Sequence, residues 1–542
     1  MARTLRWLRS AGGALPLLAL WALPLLMALA FAMTVGLDAT AWRSLQAHPQ
    51  LWPALMLSIF TGVVSTALAL LCALTISAGF YHSRLWHKLQ AASAVGMALP
   101  HLAFATGVGF LIMPSGWLAR LFVGGATPPQ WVTTQDPLGL SLLTALALKE
   151  VPFLFALIWS MLVQGGMAEN LVGQVRAARS LGHGAGSIWL RVVQPQILRR
   201  LLWPLLIVFS YGASVVDMAL VIGPTQPPPL AVVVWQDLNH AETAINARGL
   251  AGAIFMTLAL IGVAAMAALA ANASQALMWP LLVAGPSLRK APVGLASTCL
   301  AVLALIFLAV VLVLAVVSVA PRWPYPLMWP AVFSFQPWVM LLVSSSTLWL
   351  SLGLAMVSSL VALVLVVLWF ETQSQRHDRW LLGFAALSLA LPQLLVAAGQ
   401  YRLLLSIGLT GGLAGLFLVH LAPVLAYVAV VLTKPYRALD PRYSSVAASL
   451  SATPLRRCWQ IKLPLLKAPL LTAAAVGFAV SMVQFVPAQL VAAGRYETLP
   501  MAAVTLSSGG NRSLSAVFAL ALALPPLLAF LIAALAARPR WR

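Results

Sequence analysis

Charged residues are scarce in this 542-residue chain, and acidic residues are the scarcest. Charged side chains make up 8% of the sequence, with 11 acidic against 32 basic residues, whereas hydrophobic residues make up 62%. An average soluble domain carries about 25% charged residues and is about half apolar. Because this chain could not hide its apolar surface in water, we expect it to lie in a membrane.

Cysteine is also rare, and the residues that usually carry catalysis are dispersed. The three cysteines, Cys72, Cys299 and Cys458, lie far apart in sequence and offer neither a disulfide framework nor a metal-ligand spacing. The eight histidines show no metal spacing, and the acidic residues form no cluster. We therefore predict no metal site, no cofactor and no enzymatic activity, and we expect the cysteines to be packing residues.

Twelve apolar runs are long enough to cross a bilayer. A spanning helix needs about 20 apolar residues and satisfies its own backbone hydrogen bonds. The predicted spans are Ala14 to Val35, Ala54 to Gly79, Ala91 to Met113, Leu138 to Val163, Leu201 to Ile222, Leu250 to Ala271, Leu295 to Val319, Leu341 to Trp369, Leu381 to Gly399, Gly412 to Leu432, Leu470 to Val491 and Leu514 to Ala536. The predicted fold class is an all-α integral membrane protein of about 12 transmembrane helices in two tandem six-helix repeats.

Basic residues concentrate in alternate loops between these spans. With the N-terminus inside, 24 of the 32 basic residues face the cytosol, as the positive-inside rule requires. We predict a multi-pass protein of the bacterial inner membrane, in contact with lipid, with both termini cytosolic and an uncleaved first span. The net charge of +21 is spread over seven segments, so no nucleic-acid partner is predicted.

Two segments of the sequence match at a nearly constant offset. Residues 176–195 and 445–464 both carry small residues, then Ser-Leu, and then a proline thirteen positions after Gly182 or Ser451. Other prolines repeat at a similar offset, Pro152 with Pro423 and Pro229 with Pro500. This internal duplication predicts a first transmembrane domain at 1–272, a cytosolic linker at 273–294 and a second transmembrane domain at 295–542.

Both matching segments lie in long basic loops between the fourth and fifth predicted spans of their halves. Small residues such as Ala177, Ala178 and Gly182 would let a short helix turn sharply and pack closely against a partner surface. An ordinary basic loop with chance alanines is the alternative for either copy alone. Two copies with equal internal spacing at equivalent positions favour a docking function.

The pattern resembles the Glu-Ala-Ala loop of binding-protein-dependent permeases in bacterial ATP-binding-cassette (ABC) importers. That loop reads Glu-Ala-Ala, three residues, Gly, nine residues, Ile, one residue and Leu-Pro. The matching residues are Ala177, Ala178, Gly182 and Pro195 in the first copy and Ala447, Ile461, Leu463 and Pro464 in the second, with Ser451 at the second Gly position. The Glu position holds Arg176 or Ser445, which puts an acidic contact to the ATPase in doubt.

The resemblance implies a permease subunit that translocates a small solute and is powered by separate chains. Each loop would form a coupling helix seated in a groove of one of two ABC ATPase subunits, and a periplasmic solute-binding protein would complete the importer. A P-loop needs a lysine after a glycine, and none of the six lysines follows a glycine. Both loops in one chain, together with the pairs Leu99-Pro100 and Leu391-Pro392, further resemble the thiamine and ferric-iron import branch.

Ionisable side chains inside spans are costly and indicate candidate solute paths. Glu150 lies in the fourth span beside Lys149, and the two could simply neutralise each other. Asp217 lies in the fifth span without a sequence-local partner, and Gln484 occupies the comparable place in the second half. We predict that Asp217, Gln484 and Glu150 line the path of a positively charged solute, thiamine-like or ferric iron. Pairing of Asp217 inside the helix bundle is the alternative.

A twelve-span secondary transporter is the alternative function. Such transporters also have two related halves with a substrate site near the membrane midplane. Members of the major facilitator class usually carry a Gly-rich loop with Asp and Arg between spans two and three. Here residues 81–90 contain neither Gly nor Asp, and the repeated motif lies between spans four and five instead.

Overall fold

The computed structural model describes residues 14–81, 83–123, 125–163, 166–284, 290–449 and 453–536, and every regular element in these ranges is helical. The helices of the first half are Leu18–Ala22 (π-helical), Leu23–Gly36, Ala39–Gln46, Leu51–Phe80, Trp86–Ala98, His101–Ile112, Trp117–Phe122, Leu140–Val163, Gly166–Ser180, Ala185–Ile188, Trp189–Val193 (π-helical), Gln194–Ser214, Asp217–Ile222, Leu230–Leu238 and Thr243–Ala284. Those of the second half are Val293–Ser318, Gln336–Val343, Ser345–Thr372, Gln375–His377 (a 3₁₀ turn), Asp378–Ala390, Gln393–Ser406, Leu413–Arg437, Pro441–Ser449, Pro454–Arg457, Cys458–Lys462 (π-helical), Leu463–Leu465, Lys467–Met482, Val486–Ala492, Leu499–Ser508 and Arg512–Ala536.

The all-α membrane fold class is confirmed. Among the described residues, ten helices are long and apolar enough to cross a membrane, and twelve spans result if two bent pairs each count as one. The bent pairs are Gln375–Ala390 with Gln393–Ser406, which turn by 102°, and Pro454–Leu465 with Lys467–Met482, which turn by 82°. The predicted count of about 12 spans therefore depends on these two sharply bent segments.

The predicted third span, Ala91 to Met113, is two helices rather than one. The first ends at Ala98, and the second begins at His101, directly after Pro100. Leu99 is extended, with ψ of 119°, because a residue before proline is sterically excluded from the helical region. The same break occurs in the second half, where Leu391 is extended with ψ of 138°.

The two halves repeat the same order of elements. The π-helical segments Trp189–Val193 and Cys458–Lys462 occupy the same positions of the two matching loop sequences. The predicted fifth spans of both halves are broken: Gln194–Ser214 is followed by the short helix Asp217–Ile222, and Lys467–Met482 by Val486–Ala492. The duplication is therefore expressed in local backbone irregularities as well as in sequence.

One tertiary hydrogen bond is also duplicated. The backbone N–H of Leu230 donates to Ser58 Oγ at 2.9 Å, and the backbone N–H of Leu499 donates to Ser351 Oγ at 2.8 Å. Each bond ties the first residue of a short apolar helix to the long second helix of its half, and it satisfies an N–H that a helix start leaves without an intrahelical partner.

The chain folds into two compact units that do not follow the sequence halves. Unit 1 contains the described residues up to Leu45, Val234–Ile254 and the described residues from Gln336 onward; unit 2 contains Gln46–Val233 and Phe255–Phe335. Each unit thus includes the first span of the other half. This division describes packing, whereas the predicted boundaries 1–272, 273–294 and 295–542 describe the sequence repeat and stay a prediction.

Glycines let the exchanged first spans approach their neighbours. In unit 2, a Cβ added to Gly79 would clash with the Cβ of Ala296 in the helix Val293–Ser318. In unit 1, a Cβ added to Gly399 would clash with the carbonyl oxygen of Ala28. Close backbone approach at small residues is how membrane helices gain packing energy, because lipid provides no hydrophobic drive between them.

Candidate docking loops and intramembrane polar cluster

The first docking loop, residues 166–200, is anchored by one face of its leading helix. In the helix Gly166–Ser180, Leu171, Val175 and Ala178 recur at helical spacing and are at most 8% exposed. They pack into the apolar core of unit 2. Ala177 lies on the exposed side. The two matched alanines therefore have different environments: Ala178 packs inward, and Ala177 is open to a partner.

Gly182 ends this helix in a left-handed turn. Its φ is +80°, a conformation that glycine adopts without steric cost. The N–H of His183 donates to the carbonyl of Ala178 at 3.1 Å, and the N–H of Gly182 donates to that of Arg179 at 3.0 Å. This pair of bonds is a Schellman cap, and it gives a physical reason for glycine at the matched position.

Tyr81 joins the loop to the end of the second span. Its ring centroid lies 5.8 Å from those of Trp86 and Trp189. Burial raises the pKa of the Tyr81 phenol, against a smaller opposing effect of the Arg179 charge, so the phenol stays neutral at physiological pH. The aromatic contacts hold the π-helical segment Trp189–Val193 against the helix Leu51–Phe80.

A groove of about 550 Å³ lies beside the Gly182 turn. Its apolar lining includes Ala177, Leu181 and Pro195, and its basic lining includes His183, Arg191 and Arg199. Leu181 is 77% exposed. The side chain of Gln196 donates to that of Gln174 at 2.7 Å and links the two helices that border the groove. Matched residues of the first loop thus lie on an open surface that is both apolar and basic.

The second docking loop, residues 441–467, repeats the order of helical segments of the first loop with different side chains. Ala447 is buried at 5% exposure, Ile461 and Leu463 are partly exposed, and Pro464 is exposed. Ser451 lies outside the described residues. The hydroxyl of Thr453 accepts the backbone N–H of Arg456 at 3.3 Å and caps the helix that follows. The docking role of all these residues remains a prediction.

Acidic side chains hold this second loop in place. The ammonium of Lys462 donates to Glu371 Oε1 at 2.5 Å, and the phenol of Tyr436 donates to the same oxygen at 2.5 Å. Next to this pair, Arg437 donates to both carboxylate oxygens of Asp378 at 2.7 and 2.9 Å. The second loop is therefore tied to the helix Ser345–Thr372 through a charge pair within unit 1.

Glu150 lies against a histidine in unit 2, on helices that also contact the helix of Asp217. His101 Nε2 lies 2.9 Å from Glu150 Oε1, and the helix that begins at Asp217 packs against the helices of His101 and Glu150. The ring of Tyr211 lies 4.8 Å from that of His101. Glu150 is 8% exposed and Asp217 is partly exposed. We call Glu150, Asp217 and His101 the polar cluster of unit 2; the sequence analysis missed His101.

Lys149 does not take the place of that histidine. It is 3% exposed and interacts electrostatically with Glu150, but the close contact of Glu150 is with His101. The alternative in which Lys149 and Glu150 simply neutralise each other therefore omits His101, which is in close contact with Glu150. His101 follows Pro100 directly, so the Leu-Pro break was the sequence signal that could have indicated it.

Gln484 has a matching partner in unit 1. It is 5% exposed, and its side-chain carbonyl accepts a hydrogen bond from Gln393 at 2.9 Å. Gln393 follows Pro392 directly, as His101 follows Pro100. Each unit therefore places the residue after its Leu-Pro break against a polar residue of another span, carboxylate in unit 2 and amide in unit 1. Within the described residues, no group of three or more His, Cys, Asp or Glu side chains could hold a metal ion.

A helical membrane fold with repeated loops and broken, polar intramembrane segments is that of a transport permease. No family model matches the sequence. The chain is 30% identical over 527 residues to the inner membrane ABC transporter permease protein YnjC of Escherichia coli strain K12, covering 96% of both chains. It is 26% identical over 514 residues to the thiamine transport system permease protein ThiP of that strain, covering 90% of this chain and 91% of that protein. The chain belongs to the ABC transporter permease family.

These similarities confirm the family that the two loops indicated. The chain is a multi-pass, inner-membrane permease of an ABC-type importer, related over most of its length to a thiamine permease. Both relatives are named as transport permeases, and neither name supports the alternative of a secondary transporter. The similarity extends across both halves of the chain, so it covers both docking loops and the polar clusters of both units.

Proposed function

We propose that this chain is the fused, two-domain permease of its importer and that each docking loop seats one of two ABC ATPase subunits. Both loops and both termini lie in the cytosol, and a periplasmic solute-binding protein engages the opposite side. The matched loops support this proposal, because the two copies share sequence, a π-helical segment and position between broken spans. Because no lysine of this chain follows a glycine, a P-loop is missing, and ATP is hydrolysed by the partner chains.

The transported solute in this proposal is a small cation, thiamine-like in the first place and ferric iron in the second. The observation that carries it is Glu150 at 2.9 Å from His101, on helices that pack against the helix of Asp217 in unit 2. Carboxylates on packed membrane helices favour a positive solute, because opposite charges attract strongly where water is excluded. Gln484 would contribute an uncharged hydrogen-bonding group to the path. The printed name of the relative ThiP adds thiamine as the first solute to test.

Uptake by the reconstituted importer tests this proposal. The permease would be placed in liposomes with its ATPase and binding protein, and ATP-dependent entry of labelled thiamine would be measured. Glu150→Gln and Asp217→Asn keep size and hydrogen bonding but remove charge. We expect each to lower uptake roughly tenfold, the effect of losing about 1.4 kcal/mol of interaction, while basal ATPase activity is retained.

Glu242→Gln is the matched control, because it removes an exposed carboxylate outside the cluster, and we expect it to leave uptake unchanged. ATP-dependent uptake of ferric iron and not of thiamine would select the second solute. Normal uptake of both solutes by both cluster variants would refute the assigned path. A wild-type complex that takes up neither solute would refute both substrate assignments.

A further inference from the structure

The first docking loop carries a concentration of positive charge. Residues 166–200 contain five arginines and a single acid, Glu169. In the part of the chain that the structure describes, Arg176, Arg199 and Arg200 take part in no ion pair. The second loop is basic as well, because residues 441–467 contain five basic residues and no acid, and one of them, Lys462, pairs with Glu371 outside the loop. Both loops are therefore basic.

Two arginines of the first loop, Arg191 and Arg199, line the groove together with Leu181. Leu181 is 77% exposed at the turn, and Arg199 is exposed. Arg176 is exposed and occupies the position where the resembling loops carry glutamate. An exposed apolar residue beside positive charges has the composition of a protein contact, in which the apolar group supplies affinity and the charges select the partner.

We infer that the ATPase surface that receives the first docking loop is acidic and places a carboxylate in the groove beside Arg199, with an apolar pocket for Leu181. The permease supplies the cation of this contact and the ATPase the anion. The inference rests on the proposed function and names the chemistry of the partner at that same loop.

Charge reversal at the groove tests the inference. The full permease would be held in nanodiscs of zwitterionic lipid, and the purified ATPase of the importer would be titrated at low and at high salt. We expect Arg199→Glu to weaken binding roughly tenfold at low salt and to reduce its salt dependence, as for a lost interfacial charge pair. Arg199→Gln should give a smaller loss in the same direction. Arg176→Glu, which restores the family residue, should also weaken binding.

Arg200→Glu is the matched control, because Arg200 is adjacent and exposed but does not line the groove. We expect it to change the dissociation constant by less than about threefold, as a rim charge does. An ATPase acid changed to lysine should restore binding to the Arg199→Glu variant. Equal effects of the Arg199 and Arg200 reversals, or wild-type binding that is insensitive to salt, would overturn the inference.

Two further outcomes separate this inference from neighbouring ones. If the Arg199→Glu effect appears only in nanodiscs that contain anionic lipid, the groove takes a lipid headgroup and the acidic ATPase face is refuted. If the wild-type permease does not bind the ATPase at any salt concentration, the proposed function fails and the inference falls with it. Binding that is tight and indifferent to all four variants would leave the proposed function standing and refute only the charge assignment.

Discussion

At the scale of single residues, Gly182 shows how backbone conformation decides a sequence position. Its φ of +80° is left-handed, and a Cβ added there would have no heavy atom within 4 Å. Space within the described chain is therefore available for a side chain, and the constraint on this residue is conformational. A bulky residue at Gly182 meets two separate obstacles: the strain of the left-handed turn and, in the assembled importer, the partner that would seat the loop.

Three substitutions separate those obstacles. Gly182→Asn should be tolerated, since asparagine adopts the left-handed region readily, whereas β-branched Gly182→Val should cost about 1–2 kcal/mol in that conformation. Gly182→Arg adds bulk and charge at the docking surface. We expect retention of the ATPase on the purified permease to fall from wild type and Asn to Val and then to Arg, with membrane levels unchanged. Equal retention by all four proteins would contradict a seated Gly182 turn.

At the scale of helices, two cysteines from different sequence halves can test whether each compact unit contains the first span of the other half. Cys72 in Leu51–Phe80 and Cys299 in Val293–Ser318 both pack against the apolar core of unit 2, on helices that contact each other. They are 227 residues apart in sequence and come from different sequence halves. The expectation that the cysteines are packing residues stays a prediction, and nothing in their spacing indicates that Cys72 and Cys299 would pair.

Oxidative cross-linking tests this packing. A protease site in the linker 273–294 would cut the chain into its two halves after purification. We expect a mild oxidant to join the halves through Cys72 and Cys299, so that one full-length band remains on a non-reducing gel and two appear after reduction. Cys299→Ala should abolish the cross-link, and Cys458→Ala should leave it intact. Persistent separation of the halves after oxidation of the parent protein would rule out the pairing.

At the scale of the whole molecule, charge placement predicts the orientation in the membrane. Because 24 of the 32 basic residues fall in alternate segments, both termini and both docking loops should face the cytosol. A reporter that is active only in the periplasm should be inactive when fused after Arg542 and active when inserted at Pro227. The opposite pattern of activity would invert the topology, and with it the side on which the ATPase docks.

Much of the fold follows from local sequence. Hydropathy locates the spans because a bilayer demands about 20 apolar residues per crossing, and the structure bears this out for ten helices and two bent pairs. The breaks at Pro100 and Pro392 were less visible, since each proline lies within a mostly apolar run that looks continuous. A proline excludes the preceding residue from helical geometry, so each Leu-Pro pair held the information that its span divides.

The sequence by itself determined the class of the protein, the number of its spans and the two repeated loops, because these depend on composition and spacing along the chain. Only the tertiary structure decided that each compact unit takes in the first span of the other half, that His101 contacts Glu150 beside the helix of Asp217, and that Cys72 and Cys299 pack against one apolar core. The physical reason is that a helix that is apolar on every side has no face that indicates its neighbour. Its partners are selected by glycine contacts and polar pairs between distant spans, which only the folded chain brings together.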